Sequence, residues 1–220
     1  MSNNLKFVVT HDSSSTIFSE KYGEHYHSIN GAKNESEHIF INLGLKNFEN
    51  KQINILEIGY GTALNAILTY LENKNLNNNI FYHGIELNVL PKNIYFDLNF
   101  NELFHLSENE ISCFYDKWNE KLFITENFSL LKENIDFNPF IPINNYDLIY
   151  FDAFSPETQP EMWNYENLNK IIDKLNVGGL LVTYCIKGII KESLRNLGLF
   201  VKRCKGPVGK RHVISAKKMN

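Results

Sequence analysis

At 220 residues, 43% apolar and 13% aromatic, the chain can bury one ordinary core, and no apolar run nears the roughly 18 residues of a membrane span. The start, MSNNLKFVVTHDSSS, lacks the basic and apolar regions of a secretory signal, and Cys113, Cys185 and Cys204 lie far apart without a CxxC, which argues against a disulfide framework or zinc cluster and for a reducing cytoplasm. The net charge of −3 hides a segregation: Lys187 to Asn220 holds ten Lys or Arg against one acid, while the rest of the chain carries −12, a pattern that fits a phosphate-binding patch on an acidic body.

In chain order, LKFVVT and STIFSE read as a β-hairpin in an N-terminal arm (1–50) set before a main unit (51–220). INILEI (53–58) reads as a buried strand, and TALNAILTYLE (62–72) as a helix with Ala63, Ile67, Leu68 and Leu71 on one side. IFYHGIE (80–86) is a second strand, and Pro91 starts or flanks another helix. KLFIT (121–125) and YDLIYFD (146–152) follow as the third and fourth strands. After the turn SPETQPEMW, NYENLNKIIDKL is helical and NVGG stops it. GLLVTYC (179–185) is a strand, KGIIKESLRNLG a basic helix, and LFVKRCK and HVISAKK are strands joined by GPVG. The β–α alternation predicts an α/β fold with a mostly parallel sheet, and the tight last turn demands an antiparallel closing hairpin. Seven strands with an antiparallel last pair is the plan of the Rossmann-like class I methyltransferases; the dinucleotide-binding fold lacks the hairpin.

Three motifs carry chemistry. Gly59-Tyr60-Gly61 follows the first main strand, where glycines allow a tight turn and close approach to a ligand, and Thr62 can cap the next helix. Leu64 stands where GxGxxG has its third glycine, which counts against a pyrophosphate cofactor. Glu86, ending the second strand, suits the two hydroxyls of a ribose, a device shared by NAD and S-adenosylmethionine folds; Glu57 is a candidate for the cofactor's amino group. FDAFSPETQPEMW (151–163) follows the fourth strand and resembles the D/N-P-P-Y loop of amino-group methyltransferases. There Asp152 would hold the attacking amine and serve as its candidate base, Phe154 would line the pocket, and Pro156 would sit in the substrate loop. Met162 and Trp163 read as loop anchors. His25, Tyr26 and His27 have no second cluster at ligand spacing, so no metal is expected.

Taken together, GEHYHSINGAKNESEHIFI, LEIGYGTALNA, IELN, FDAFSPETQPEMW and GPVGKRHV, in that order, resemble the methyltransferase half of the bifunctional tRNA 5-methylaminomethyl-2-thiouridine biosynthesis enzyme MnmC, in its stand-alone, MnmD-like form. The resemblance runs from about Thr10 to the C-terminus. It implies an S-adenosylmethionine-dependent, cytoplasmic enzyme, without a membrane partner. Such an enzyme would methylate the 5-aminomethyl amine of wobble uridine 34 in the anticodon region of tRNA. By position it puts Gly59, Tyr60 and Gly61 on the cofactor loop, Glu86 on the ribose, Tyr26 near the cofactor and Asp152 in the active site. It puts Lys205, Lys210 and Arg211 toward RNA. Two departures stand out: Ala63 replaces a loop glycine, with no loss expected in a helix, and Glu126-Asn127 stands after the third strand where Gly-Asp is usual, leaving Asn127 for adenine. The family's FAD-dependent oxidoreductase half has no counterpart in these residues, so aminomethyl-uridine would have to be made by another route. Two other readings remain open on the residues: an N-methyltransferase for a small-molecule amine, and a non-catalytic RNA-binding protein that kept the fold.

Overall fold

The computed structural model describes residues 5–219. β1 (Leu5–Val9) and β2 (Ser15–Ser19) pair antiparallel, and β2 pairs with the two-residue β3 (Glu24–His25). α1 (Ala32–Ser36) runs on into a π-helical turn over Glu37–Asn42. Then come β4 (Gln52–Ile58), α2 (Leu64–Leu76) and β5 (Asn79–Glu86). Three short helices follow: α3 (Lys92–Asp97), α4 (Phe100–Leu103) and α5 (Glu108–Tyr115). The chain continues through β6 (Lys121–Thr125), β7 (Phe128–Asn134), β8 (Tyr146–Phe151), α6 (Tyr165–Asp173) and β9 (Leu175–Thr183). It closes with α7 (Gly188–Asn196), β10 (Leu199–Lys205) and β11 (His212–Lys218).

The main sheet has the order β10-β11-β9-β8-β4-β5-β7-β6. Strands β7, β5, β4, β8 and β9 are parallel; at one edge β11 runs against them, and β10, paired antiparallel to β11 by the closing hairpin, returns to their direction. Strand order switches at β4, whose neighbours β5 and β8 are reached in opposite directions, so a crevice opens beyond the carboxyl ends of these strands.

The third parallel strand is not KLFIT. That segment is β6, an antiparallel edge strand, and the parallel position belongs to β7. The sequence disguises β7 because Ser129 and Lys132 occupy core positions. A buried ammonium is tolerated only with partners: Lys132 Nζ donates to the carbonyls of Cys113 (2.7 Å) and Asp116. KLFIT looks more strand-like, yet Phe123 is 73% exposed. NVGG is likewise not a stop: it lies within β9, where pairing jumps from Tyr146↔Leu175 to Leu148↔Leu180 and Gly178 takes φ 83°, a bulge.

Helix α2 begins two residues later than predicted. Ala63 holds the left-handed N-cap conformation (φ 69°), and Thr62 makes no cap. A left-handed Ala costs roughly 1–2 kcal/mol, partly offset by its buried methyl, worth about 0.8 kcal/mol. Ala63 is therefore not the better-tolerated helical residue expected. One face of the sheet packs on α2 and on the arm, where Ile17, Ile39 and Phe40 share a core with Ile55, Ile67 and Leu148. The other face joins Leu56, Ile149 and Phe151 to Ile171 of α6 and Leu194 of α7.

Candidate active site

The glycine loop is fastened on every side. The N–H groups of Gly59 and Tyr60 both donate to Ile85 O at 3.1 Å, and Tyr95 Oη donates to Gly61 O at 3.3 Å. Gly59 has φ 91°, and a Cβ there would lie 2.6 Å from the Asp152 carbonyl oxygen. The cofactor loop and the end of β8 thus touch backbone to backbone. Gly61 (φ 51°) faces the Tyr26 ring, 3.1 Å from where its Cβ would be. The Tyr60 ring turns into the core against Gly84, and its Oη donates to Phe114 O at 3.0 Å. At the end of β5, the Glu86 carboxylate accepts the Gly61 N–H at 3.0 Å and the Asn88 N–H at 2.7 Å; burial pushes its pKa up against these bonds.

Across the cleft, Asp152 follows β8, half-buried. Its Oδ2 accepts from Asn65 Nδ2 at 2.8 Å. Burial raises its pKa to about 8; the Asn65 hydrogen bond opposes this, Glu35 adds to it and Lys210 opposes it. Phe154 stacks on Tyr22 with centroids 4.5 Å apart and meets the edge of Tyr26 at 5.0 Å. Trp163 Nε1 donates to Phe154 O at 2.7 Å, and Tyr184 Oη to Ala153 O at 2.8 Å, so the loop is held from below. From the arm, Glu24 accepts the Ser155 N–H (3.2 Å) and the hydroxyls of Ser155 and Thr158. Lys210 Nζ pairs with Glu35 and lies 4.4 Å above the Tyr184 ring.

These walls enclose a cavity of about 590 Å³. Of the predicted residues, Tyr26, Gly59, Tyr60, Gly61, Glu86, Asp152, Phe154 and Lys210 line it. Glu57 does not: it is fully buried beneath the loop, accepting from Asn65 Nδ2 (2.8 Å) and Tyr82 Oη (2.7 Å). Thr62 instead meets His27 Nε2 at 2.6 Å. Asn127 sits in the β6–β7 turn, accepting from Thr125 Oγ1 at 2.8 Å. It precedes β7, whereas the cleft lies past the far end of that strand, about 20 Å away at ~3.3 Å per residue. Asp136, just past β7, occupies the cleft position expected of Asn127. Pro156 is in the turn held by Glu24 and off the cleft wall. Lys205 and Arg211 line a separate, more open hollow that shares only Lys210 with the cleft.

Several lining residues escaped the sequence reading. Tyr22, Glu24 and Glu35 come from the arm, where only tertiary packing gives them meaning, although Glu24 and Glu35 lie inside the motif GEHYHSINGAKNESEHIFI. Asp136 would have followed from placing β7 correctly. Among the described residues, no three His, Cys, Asp or Glu side chains cluster to hold a metal, and no helix is long and apolar enough to cross a membrane.

S-adenosylmethionine fits this cleft. The volume is within the roughly 300–1,000 Å³ of ligand sites. Gly59 and Gly61 let the loop close tightly on Asp152 and Tyr26 at the wall of the cleft, and Glu86 presents a carboxylate at a strand end. A sequence profile of the family described as S-adenosyl-L-methionine-dependent methyltransferase matches residues 107–219, just over half of the chain. The chain belongs to this methyltransferase family. This methyltransferase is 27% identical over 229 residues to the tRNA 5-methylaminomethyl-2-thiouridine biosynthesis bifunctional protein MnmC of Leptospira interrogans, which covers 94% of this chain and 34% of that protein. The MnmC protein of Acinetobacter baylyi is 26% identical over 233 residues, covering 90% and 35%. The chain thus spans about a third of the length of these curated relatives. In fold, the methyltransferase matches the crystal structure of MnmC2 from Aquifex aeolicus with a TM-score of 0.76, at 24% identity over 99% of this chain and 72% of that one.

Proposed function

We propose that this methyltransferase transfers a methyl group to the 5-aminomethyl amine of wobble uridine 34 in tRNA, giving 5-methylaminomethyl-(2-thio)uridine. The observation that carries the reading is Asp152: a carboxyl of raised pKa, anchored on one oxygen and bordering the cavity beside an aromatic wall. S-adenosylmethionine, when bound, supplies an electrophilic methyl group; Glu86 would hold its ribose, the 59–61 loop its amino-acid end, and Asp136 with Phe137 would border its base. The chain's own task is to deliver a neutral amine. An ammonium has no lone pair to donate, so Asp152 takes its proton, and a base that titrates near 8 is matched to that exchange. Phe154, between Tyr22 and Tyr26, offers a flat surface for a pyrimidine and excludes water. The name of the MnmC relatives supports the tRNA. So does the exposed basic hollow with Lys205 and Arg211, placed next to the cleft where a nucleotide's phosphates would lie.

One observation favours a small cationic amine as the second reading. The cleft lining holds the acids Glu24, Glu35, Glu86, Asp136, Asp152 and Glu161 against Lys21 and Lys210, an excess of acidic groups that attracts any ammonium. Both readings are tested by incubating the purified protein and labelled S-adenosylmethionine with tRNA from cells lacking the last methylation step, then analysing nucleosides. Label in 5-methylaminomethyluridine at position 34 is expected. Unlabelled RNA with efficient labelling of a polyamine would replace the proposal by the second reading.

A further inference from the structure

Asp152 does not stand alone on the cleft floor. The Asn65 amide nitrogen that donates to its Oδ2 at 2.8 Å also donates to Glu57 Oε1 at 2.8 Å. Glu57 Oε2 in turn accepts from Tyr82 Oη at 2.7 Å. Asn65 is 2% exposed and Glu57 fully buried, so the chain of bonds runs under the cleft wall. An amide nitrogen has two hydrogens, and each is committed to a carboxyl group here. Between two ionised carboxylates the amide cannot turn over, because its oxygen would then face two acceptors. Asn65 Oδ1 meanwhile is buried without a partner, a cost of about 1–3 kcal/mol that the fold accepts to keep the nitrogen between the carboxyls.

We propose that Asn65 is a positioning residue for the methylation: clamped from below by Glu57 and Tyr82, its amide fixes Asp152 Oδ2 and leaves the other carboxyl oxygen to receive the proton from the amine. The proton passes from the ammonium nitrogen to Asp152, and the electron pair of the broken N–H bond stays on nitrogen. The inference rests on the reading of Asp152 as the group facing the amine. A second consequence follows for acidity. The bond from Asn65 stabilises the ionised carboxylate, so losing it moves Asp152 further up. The other charged or titratable groups around Asp152 are Glu57 of β4, Glu35 of α1 in the arm, Lys210 of the β10–β11 turn and Tyr184 past β9. Of these, only Glu57 also loses a hydrogen bond when Asn65 is changed, which pushes it further toward the neutral acid and takes charge away from Asp152.

The test compares Asn65→Leu, which keeps volume without a donor, and Asn65→Ser, whose hydroxyl cannot span both carboxyls, with the wild type and Asp152→Asn. Asp152 is titrated by carboxyl-carbon NMR in the cofactor-free protein, and kcat is followed against pH. In whichever variant folds, we expect the Asp152 titration and the acid limb of kcat to rise together by about one pH unit. That is about a tenfold loss of rate below the limb, with the Kd for S-adenosylmethionine unchanged. An unmoved titration and acid limb, with Asp152→Asn inactive, overturns the positioning role and leaves the proposed function standing. Wild-type rates in Asp152→Asn would overturn the positioning role together with the reading of Asp152 as base, whereas failure of the wild type to methylate the tRNA would overturn the proposed function itself.

Discussion

Gly59 shows how little room the site leaves at the scale of one residue. A methyl at this position meets the Asp152 carbonyl at 2.6 Å and demands an unfavourable φ, and neither backbone can yield without moving a functional loop. Gly59→Ala should therefore weaken S-adenosylmethionine binding at least about tenfold while also lowering kcat, as calorimetry and initial rates would reveal. Asp152 carries a different cost. Its pKa is raised from 3.8 to about 8, so between those values the folded chain holds a proton that the unfolded chain has lost. Stability contributed by this group accordingly falls as pH climbs through that window and is lowest above it. Asp152→Asn should raise Tm most at about pH 9, with the gap closing toward pH 4; a constant gap would count against the buried charge. At Asn127 and Asp136 the correction of the third strand becomes an experiment. Asn127→Ala should leave cofactor affinity within about twofold, whereas Asp136→Ala should weaken it by about tenfold, the scale of one charge-assisted hydrogen bond.

Among the elements, the short stretch around β3 matters most. It strings Tyr22, Glu24 and Tyr26 across the cleft mouth: the two rings hold Phe154, and the carboxylate holds Ser155 and Thr158. Asn88 ties the same stretch to Glu86 at the end of β5, donating to Tyr22 Oη at 2.8 Å and accepting from Lys21 at 2.9 Å. Hydrogen bonds to a charged group are worth about 1.5–3 kcal/mol each, so the loop after β8 is ordered by the arm as much as by its own sequence. Glu24→Gln, which keeps the shape but removes the charge, should lower kcat/KM for the acceptor by about tenfold with cofactor affinity intact. Equal losses for both ligands would mean the arm merely supports the fold. Asparagine, abundant along the chain, also finds a use at this scale. Asn50, Asn77, Asn99 and Asn119 hold left-handed backbone positions, and Asn77 ends α2. A short amide tolerates that conformation better than most side chains.

For the whole molecule, the segregated charge is the decisive property. The basic C-terminal segment forms α7 and the edge hairpin, and it divides by orientation: Lys210 turns in to pair with Glu35, while Arg211 and Lys205 stay exposed. The adjacent residues Lys210 and Arg211 thus serve different purposes. Lys205→Ala/Arg211→Ala should weaken tRNA binding and flatten its salt dependence, by about 0.7–0.9 in log–log slope for each phosphate that is no longer neutralised. Lys210→Ala should instead act mainly on kcat. Filter binding at several salt concentrations separates the two, and unchanged RNA affinity in the double variant would remove the hollow from the tRNA interface.

The strand–glycine–helix turn at 56–71, the acid ending β5, the Asp after β8 and the closing hairpin were legible in the chain because each depends on local pattern: apolar runs, turn residues and spacing. Those features sufficed for the fold class and for singling out Gly59, Gly61, Glu86 and Asp152, which line one cleft. What lay beyond local pattern was decided in three dimensions. Buried Lys132 hid a core strand, since its cost is met by carbonyls of a distant helix end. Ala63 left the helix because the loop needed a left-handed residue. Glu24, Glu35 and Asn65 became site residues only when the arm and α2 packed against β8, since a hydrogen bond between residues 87 or 131 positions apart has no signature in sequence spacing.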